Sequence, residues 1–397
     1  MNTTFVALAL VLAAPDEPKF AATGTGEAAH TGPLVALSLE SATVSAPVGA
    51  RAVGGLVSLS RADKPRPAFP TGAQLVSANG ERVRGELVGG DAKALAFRPA
   101  CAEDDWKVPF DAVAAVWLVA PPADTPTDPA KYAWLNGTPP RDVLLYRNGD
   151  AARGSVAAFG PDDVTFTADG GAPRTVPFKD LAAVGFNPRF ARPRKPKGPY
   201  ARLTLADGTR FDATTVSLKD GEVVAKPLLG PEVAVPVAKL IALDVLQGGA
   251  VYLSDLKPTK SEVSGFVGAG WPWAADRTVR GNPLRVLTPA GESAFDKGIG
   301  THPRTVLTYA LNGEYVRFEA LVGLDASTGK RGRATVRVLL DGKAVELPDL
   351  NALTAGPAIP VKLNVTGAKE LTLEIDFGTS GDVQADVNWI AARVIRK

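Results

Sequence analysis

A chain of 397 residues holds material for roughly two to four domains, and its 44 basic and 42 acidic residues nearly cancel, so no bulk charge selects nucleic acid or an acidic surface as partner. One cysteine, Cys101, excludes an intrachain disulfide and a cysteine-based zinc site, and two histidines, His30 and His302, leave little for a His-rich metal centre or a Ser-His-Asp triad. Forty glycines, 33 prolines and few aromatic residues suit a turn-rich β protein.

The chain begins with an apolar run from Phe5 to Ala14, too short to span a bilayer but suited to the h-region of a signal peptide. Residues 1–14 are therefore expected to direct export, and the protein to be secreted, periplasmic or held in the cell envelope, although no Lys or Arg precedes the run and Pro15 follows it. No other stretch approaches 18 uninterrupted apolar residues, so no membrane span is expected. Residues 15–71 read as a flexible segment with His30 in a disordered Gly/Ala/Thr-rich part, followed by a truncated β-repeat in which residues 34–39 and 53–59 alternate apolar and polar side chains.

A repeat follows, with copies at residues 72–119, 142–186 and 200–246. Each copy opens on alternating apolar residues around Asn79-Gly80, Asn148-Gly149 or Asp207-Gly208, the signal of a hairpin with a type I′ turn. Each closes on Val108-Pro109, Val176-Pro177 or Val235-Pro236, the proline expected at a strand start or sheet edge. From turn glycine to this proline the chain counts 29, 28 and 28 residues. Four or five short strands in so little chain predict a small, highly curved sheet, an Sm-like or SH3-like barrel. Residues 120–141, with six prolines, and the basic residues 187–199, with four, read as semi-rigid extended linkers. Arg189, Arg192, Arg194, Lys195 and Lys197 in the second are expected to be a solvated run, with a polyanion contact as the minority reading. Trp106 and Trp117 read as core or edge packing.

From residue 248 a different pattern begins. Strands are expected near residues 251–253, 305–311, 315–323, 334–340, 358–365, 371–377 and 389–395, without a convincing amphipathic helix, which suggests a β-sandwich of jelly-roll type. Lys297-Gly298-Ile299-Gly300-Thr301-His302-Pro303 precedes the second of these strands, its glycines permitting close backbone approach. Trp271-Pro272-Trp273 sits in a loop with Gly265, Gly268 and Gly270 and is followed by Asp276, Arg277, Arg280 and Asn282. A pyranose stacks its C–H face on an aromatic ring and needs donors and acceptors beside it, so these tryptophans read either as a ligand platform or as a loop anchor.

Val251 to Pro258, Phe295 to His302, Tyr315 to Asp325, Val336 to Lys343, Leu371 to Ile375 and Asn388 to Arg393 occur in that order. Together they resemble the NPCBM family of carbohydrate-binding modules found attached to glycoside hydrolases, over residues 248–397. The resemblance implies a galactose-binding-like β-sandwich that binds terminal sugars such as galactose without cleaving them. It aligns the family's Gly-Ile-Gly-x-His block with Gly298 to His302, its Val-Gly-x-Asp block with Val322 to Asp325, and its C-terminal tryptophan with Trp389. Where the family often has Asp-His before that tryptophan, this chain has Ala385-Asp386. The candidate sugar contacts are Trp271, Trp273, Asp276, Arg277, His302, Asn388 and Trp389. Trp389 also opens an alternating strand, which suits core packing, and His302 is read as a site contact or as a structural hydrogen bond. No cofactor is expected beyond the structural calcium carried by known binders of this type, with Asp325, Asp382 and Asp386 as candidate oxygen donors at a spacing that is not diagnostic.

The expected protein is thus all-β, tandem barrels followed by a jelly-roll sandwich. Its expected partner is a glycan, with the repeats as spacers or protein-docking modules and no role in nucleic-acid binding. The alternative is a scaffold for other envelope or extracellular proteins. An enzyme would need two carboxylates roughly 5 to 10 Å apart in a cleft, and no stretch reads as a catalytic domain.

Overall fold

The computed structural model describes residues 17–397 except 27, 124, 266–269 and 380. The apolar run of residues 1–14 and Gly268 therefore lie outside the described residues. Regular structure among the described residues is strand or a 3-10 turn of three residues.

Four units of five antiparallel strands fill residues 19–246. In each, the first strand pairs with both the second and the fifth, which closes a small barrel. The segment expected to be partly disordered and to hold a truncated copy carries five strands, Lys19–Gly24 to Leu56–Arg61, and His30 opens the second of them, opposite Ala22. Every long second strand is bulged: the register shifts between Leu34 and Ala36, Leu87 and Gly89, Val156 and Ala158, and Ala213 and Val216. A bulge sharpens the local twist, which is how so short a sheet curls back on itself. Gly154 shows the closeness of the wrap, since a Cβ there would lie 2.1 Å from the Thr167 carbonyl oxygen.

Two turn expectations change. At Gly80, Gly149 and Gly208 only the glycine has positive φ, and its N–H donates to the carbonyl three residues back, at Ser77, Tyr146 and Leu205. These are type I turns followed by a left-handed glycine, not type I′ turns. The Val-Pro pairs end the fourth strands, at Trp106–Pro109, Pro173–Pro177 and Val233–Pro236, each paired on one side only among the described residues, so the sheet-edge placement holds and the strand start does not. A 3-10 turn follows each proline, whose missing N–H falls where the ladder stops.

The barrels join edge to edge through their fifth strands. Val113–Trp117 pairs with Leu181–Gly185, and Leu56–Arg61 pairs with Leu240–Leu246. A bridge between Arg82 and Arg210 links the second barrel to the fourth, and Trp106 packs edge-on against Phe211 across that junction at 6.2 Å. Trp106 and Trp117 are buried. The first proline-rich linker is no open spacer: Tyr132 and Leu135 are buried with Trp117, Val143 and Ala183. Proline restrains the chain, but aromatic residues between the prolines still carry apolar surface that packing removes from water.

Residues 250–397 form a two-sheet sandwich. One sheet runs Ala274–Ala275, Gly298–Thr301, Val387–Arg396, Tyr315–Leu324, Ile359–Asn364, with Ala250–Tyr252 also on Val387–Arg396; the other runs Lys260–Val263, Thr305–Ala310, Glu370–Phe377, Arg333–Leu340, Lys343–Ala344. From Gly298 onward successive long strands cross from one sheet to the other, the jelly-roll order. Leu307, Phe318, Val336, Leu373 and Trp389 fill the space between the sheets. Asn312-Gly313 and Asp341-Gly342 have positive φ at both residues, as type I′ turns require.

Arginines dock the sandwich on the barrels. Arg317 donates to the carbonyls of Gly24 and Thr25 at 2.9 and 3.0 Å, and Arg393 reaches both Glu319 at 2.9 Å and Ser58. Arg66 pairs with Asp244 at 2.6 Å with its guanidinium 4.9 Å from the Phe295 ring centre, and Arg210 pairs with Asp296 at 2.9 Å. Each of these four arginines has its partner, as a tight polar joint requires.

Candidate functional site

The strand register builds the site. Gly298–Thr301 pairs with the closing strand as Gly298↔Ile390, Ile299↔Trp389, Gly300↔Asn388 and Thr301↔Val387. One step further, His302 faces Asp386. Gly300 allows the approach of the loop behind it, since a Cβ there would lie 2.4 Å from the Arg277 carbonyl oxygen.

The His302 Nδ1 lies 2.7 Å from Asp386 Oδ1, and Arg280 Nε donates to Asp386 Oδ2 at 2.9 Å. Burial pushes the Asp386 carboxyl up, but the bonds from His302 and Arg280 outweigh it and hold the group below its ordinary range. With Nδ1–H donating to the Asp386 carboxylate, Nε2 is the ring nitrogen not engaged by that bond. Asp382 Oδ2 lies 3.9 Å from that nitrogen. The Arg280 guanidinium lies 5.2 Å from the centre of the Trp271 ring, which is 6.0 Å from the His302 ring and tilted by 45°. Trp271 is 45% exposed. A half-exposed indole thus stands beside an imidazole and a guanidinium, both fixed by one buried carboxylate.

The other candidates are placed differently. Trp273 donates from Nε1 to Ser261 Oγ at 3.0 Å and packs on the sandwich core. Asp276 accepts from Lys297 Nζ at 2.7 Å and from the Gly298 N–H, which braces the Gly298–Thr301 strand, and Arg277 pairs with Asp128 of the first linker at 3.0 Å, so it serves the joint with the barrels. Asn388 is buried and donates to the Arg285 carbonyl; Trp389 is fully buried between the sheets and offers no ring face to a ligand. Arg280 and Asp386 join the site without being among the sugar contacts expected from the sequence. Pairing the Gly-Ile-Gly-Thr strand with the closing strand is the signal that finds Asp386.

Asp325, Asp382 and Asp386 do not fit a cation cage. Both Asp386 oxygens are taken by His302 and Arg280, and Asp325 Oδ1 is taken by the N–H and hydroxyl of Ser327, leaving the buried Oδ2 without a partner. Among the described residues no group of three or more His, Cys, Asp or Glu is arranged to hold a metal ion.

Comparison with known proteins matches residues 249–395 to the NPCBM/NEW2 domain. Over 116 residues, 29% of this chain, the sequence is 28% identical to a Renibacterium salmoninarum protein named as an endo-alpha-N-acetylgalactosaminidase, of which the chain spans only 7%. Among solved structures, a CBM51 from Clostridium perfringens GH95 in complex with methyl-galactose is 27% identical, with 36% of this chain and 99% of that one covered and a TM-score of 0.33. CBM51-2 with INT domains from Clostridium perfringens ZmpB, in complex with GlcNAc, is 21% identical, with 49% and 43% covered and a TM-score of 0.34. The segment that matches the NPCBM/NEW2 domain, residues 249–395, is thus the C-terminal sandwich.

Proposed function

We propose that the sandwich binds a glycan without cleaving it, at the Trp271 end of the domain. The observation that carries this reading is the half-exposed Trp271 ring beside His302 and Arg280, both anchored on Asp386. The indole offers an apolar face to sugar C–H groups, while His302 Nε2 and the guanidinium offer hydrogen bonds to hydroxyls. Binding fits this geometry better than hydrolysis. Asp386 is held ionised by two partners and cannot lend a proton to a leaving group, which a glycosidase needs from one of its two acids.

Terminal galactose-like sugars are the first ligands to test. The barrels serve as a rigid mount for the sandwich or as a protein-docking surface, and the protein works outside the cytoplasm. A glycan array followed by calorimetry tests the binding. Saturable binding that Trp271→Ala abolishes supports it, and silence across galactosides, fucosides and N-acetylhexosamines at millimolar sugar overturns it.

A further inference from the structure

The outer face of the second sheet carries a groove of about 490 Å³. Strand register lays out its floor. Glu262, Val306, Glu374 and Arg337 stand opposite one another on four neighbouring strands, Lys260–Val263, Thr305–Ala310, Glu370–Phe377 and Arg333–Leu340. At about 4.8 Å from strand to strand, this row spans roughly 14 Å. Two residues along the strands, Arg304 and Asp376 extend the floor. Alternation points these side chains away from the core, because Leu307, Val336, Leu373 and Ile375 between them are buried in it.

The floor interleaves donors and acceptors that have capacity to spare. Arg337 Nη1 and Glu374 Oε2 lie 3.9 Å apart, too far for a hydrogen bond, and the two side chains are 53% and 31% exposed. The Arg304 guanidinium lies 4.9 Å from the Phe377 ring centre and makes no ion pair among the described residues, and Asp376 accepts through Oδ1 from the Phe377 N–H at 2.8 Å. A ligand of one charge sign would meet its like on such a floor, whereas hydroxyl groups, which both donate and accept, find a partner at each step. No aromatic ring lines the groove among the described residues. It therefore has no platform on which to stack a sugar and needs an anchor beside it.

That anchor adjoins it. Arg304 follows His302 by two residues, and its carbonyl accepts from the Ser264 N–H at 3.1 Å. Gly270, next to Trp271, packs so close that a Cβ there would lie 2.7 Å from the Ser264 carbonyl carbon. The groove end formed by Ser264 and Arg304 thus lies against the Trp271 loop.

We infer that the groove continues the Trp271 site and holds the further residues of a neutral oligosaccharide whose terminal sugar sits on the indole. This rests on the glycan reading of Trp271 and names its ligand class, a chain end instead of a lone sugar. Arg337 and Arg304 donate to hydroxyls along the chain, and Glu374 and Asp376 accept from them. The volume lies within the range of small-molecule sites.

Titration calorimetry of the full chain with methyl galactoside, methyl fucoside and N-acetylgalactosamine, each against neutral disaccharides and trisaccharides that end in the same sugar, tests the assignment. For the sugar that binds, the trisaccharide is expected to bind roughly tenfold more tightly than the monosaccharide. Arg337→Ala and Glu374→Gln should each remove most of that gain and leave monosaccharide affinity unchanged, while Trp271→Ala abolishes both. Neither substitution on the groove touches the core, and the melting curve of each variant checks its fold. Equal affinity of the wild type for monosaccharide and trisaccharide overturns the inference and leaves the Trp271 reading standing, as does a gain that survives both substitutions. Silence toward every sugar overturns the two together.

Discussion

Asp386 does more for the candidate site than the tryptophan that led to it. Its two oxygens fix the His302 tautomer and the Arg280 plane at once, so replacing it by Asn, which leaves one position a donor, should weaken glycan binding about tenfold while Trp271 stays in place. Calorimetry on Asp386→Asn checks this, and unchanged affinity would mean that neither partner touches sugar. Glu81 makes the second prediction at this scale. Burial, followed by the Asp212 carboxylate, raises its pKa from 4.5 to about 7, while Ser77 Oγ and the Asp212 N–H donate to its oxygens at 2.8 Å. Because the folded pKa is raised, the stabilising contribution is complete below about 4.5 and is lost as pH rises through about 7. The wild-type melting temperature should therefore fall by several degrees from about pH 5 to about pH 8, and Glu81→Gln should flatten that slope. An equal slope in both proteins would contradict it.

Elements were the most legible scale. The strand pattern from residue 305 onward lies within a residue or two of what alternation predicts, because one face of each strand is buried in the sandwich core and the other is not. The turns expected as type I′ in the barrels are type I turns with a left-handed glycine, a difference the dipeptides themselves do not show. Asn-Gly and Asp-Gly serve both a two-residue turn and a three-residue turn with a left-handed glycine, and the flanking strand twist chooses between them. Of the site, the tryptophan loop could be read but its division could not: Trp271 stays half exposed while Trp273 is pinned by Ser261, a choice set by tertiary contact. Barrel curvature rests on the tight wrap at Gly154. Gly154→Ala, which would force a Cβ to within 2.1 Å of the Thr167 oxygen, should destabilise the protein by about 2 to 4 kcal/mol in chemical unfolding. A change below about 0.5 kcal/mol would show that the bend is slack.

At the scale of the molecule, the surprise is the joint. The sequence presents linkers rich in proline and a basic run, and both read as spacers. In the fold the first linker carries a small core with Trp117, and the second is tied down where Asn79 exchanges hydrogen bonds with Arg194 at 2.6 and 2.7 Å. Partners such as Arg317 with Gly24, or Arg66 with Asp244, are separated by 293 and 178 residues, and no local pattern announces them. This joint predicts that barrels and sandwich unfold together, as one calorimetric transition; two independent transitions would show a loose tether.

Glycan binding by the sandwich is the central claim, and calorimetry of the wild type and Trp271→Ala with a terminal galactoside, starting from the best array hit, tests it most directly. Saturable binding in the wild type, absent in a Trp271→Ala protein with an unchanged melting temperature, is the predicted result. Equal binding by both proteins, or none by the wild type at millimolar sugar, would contradict it.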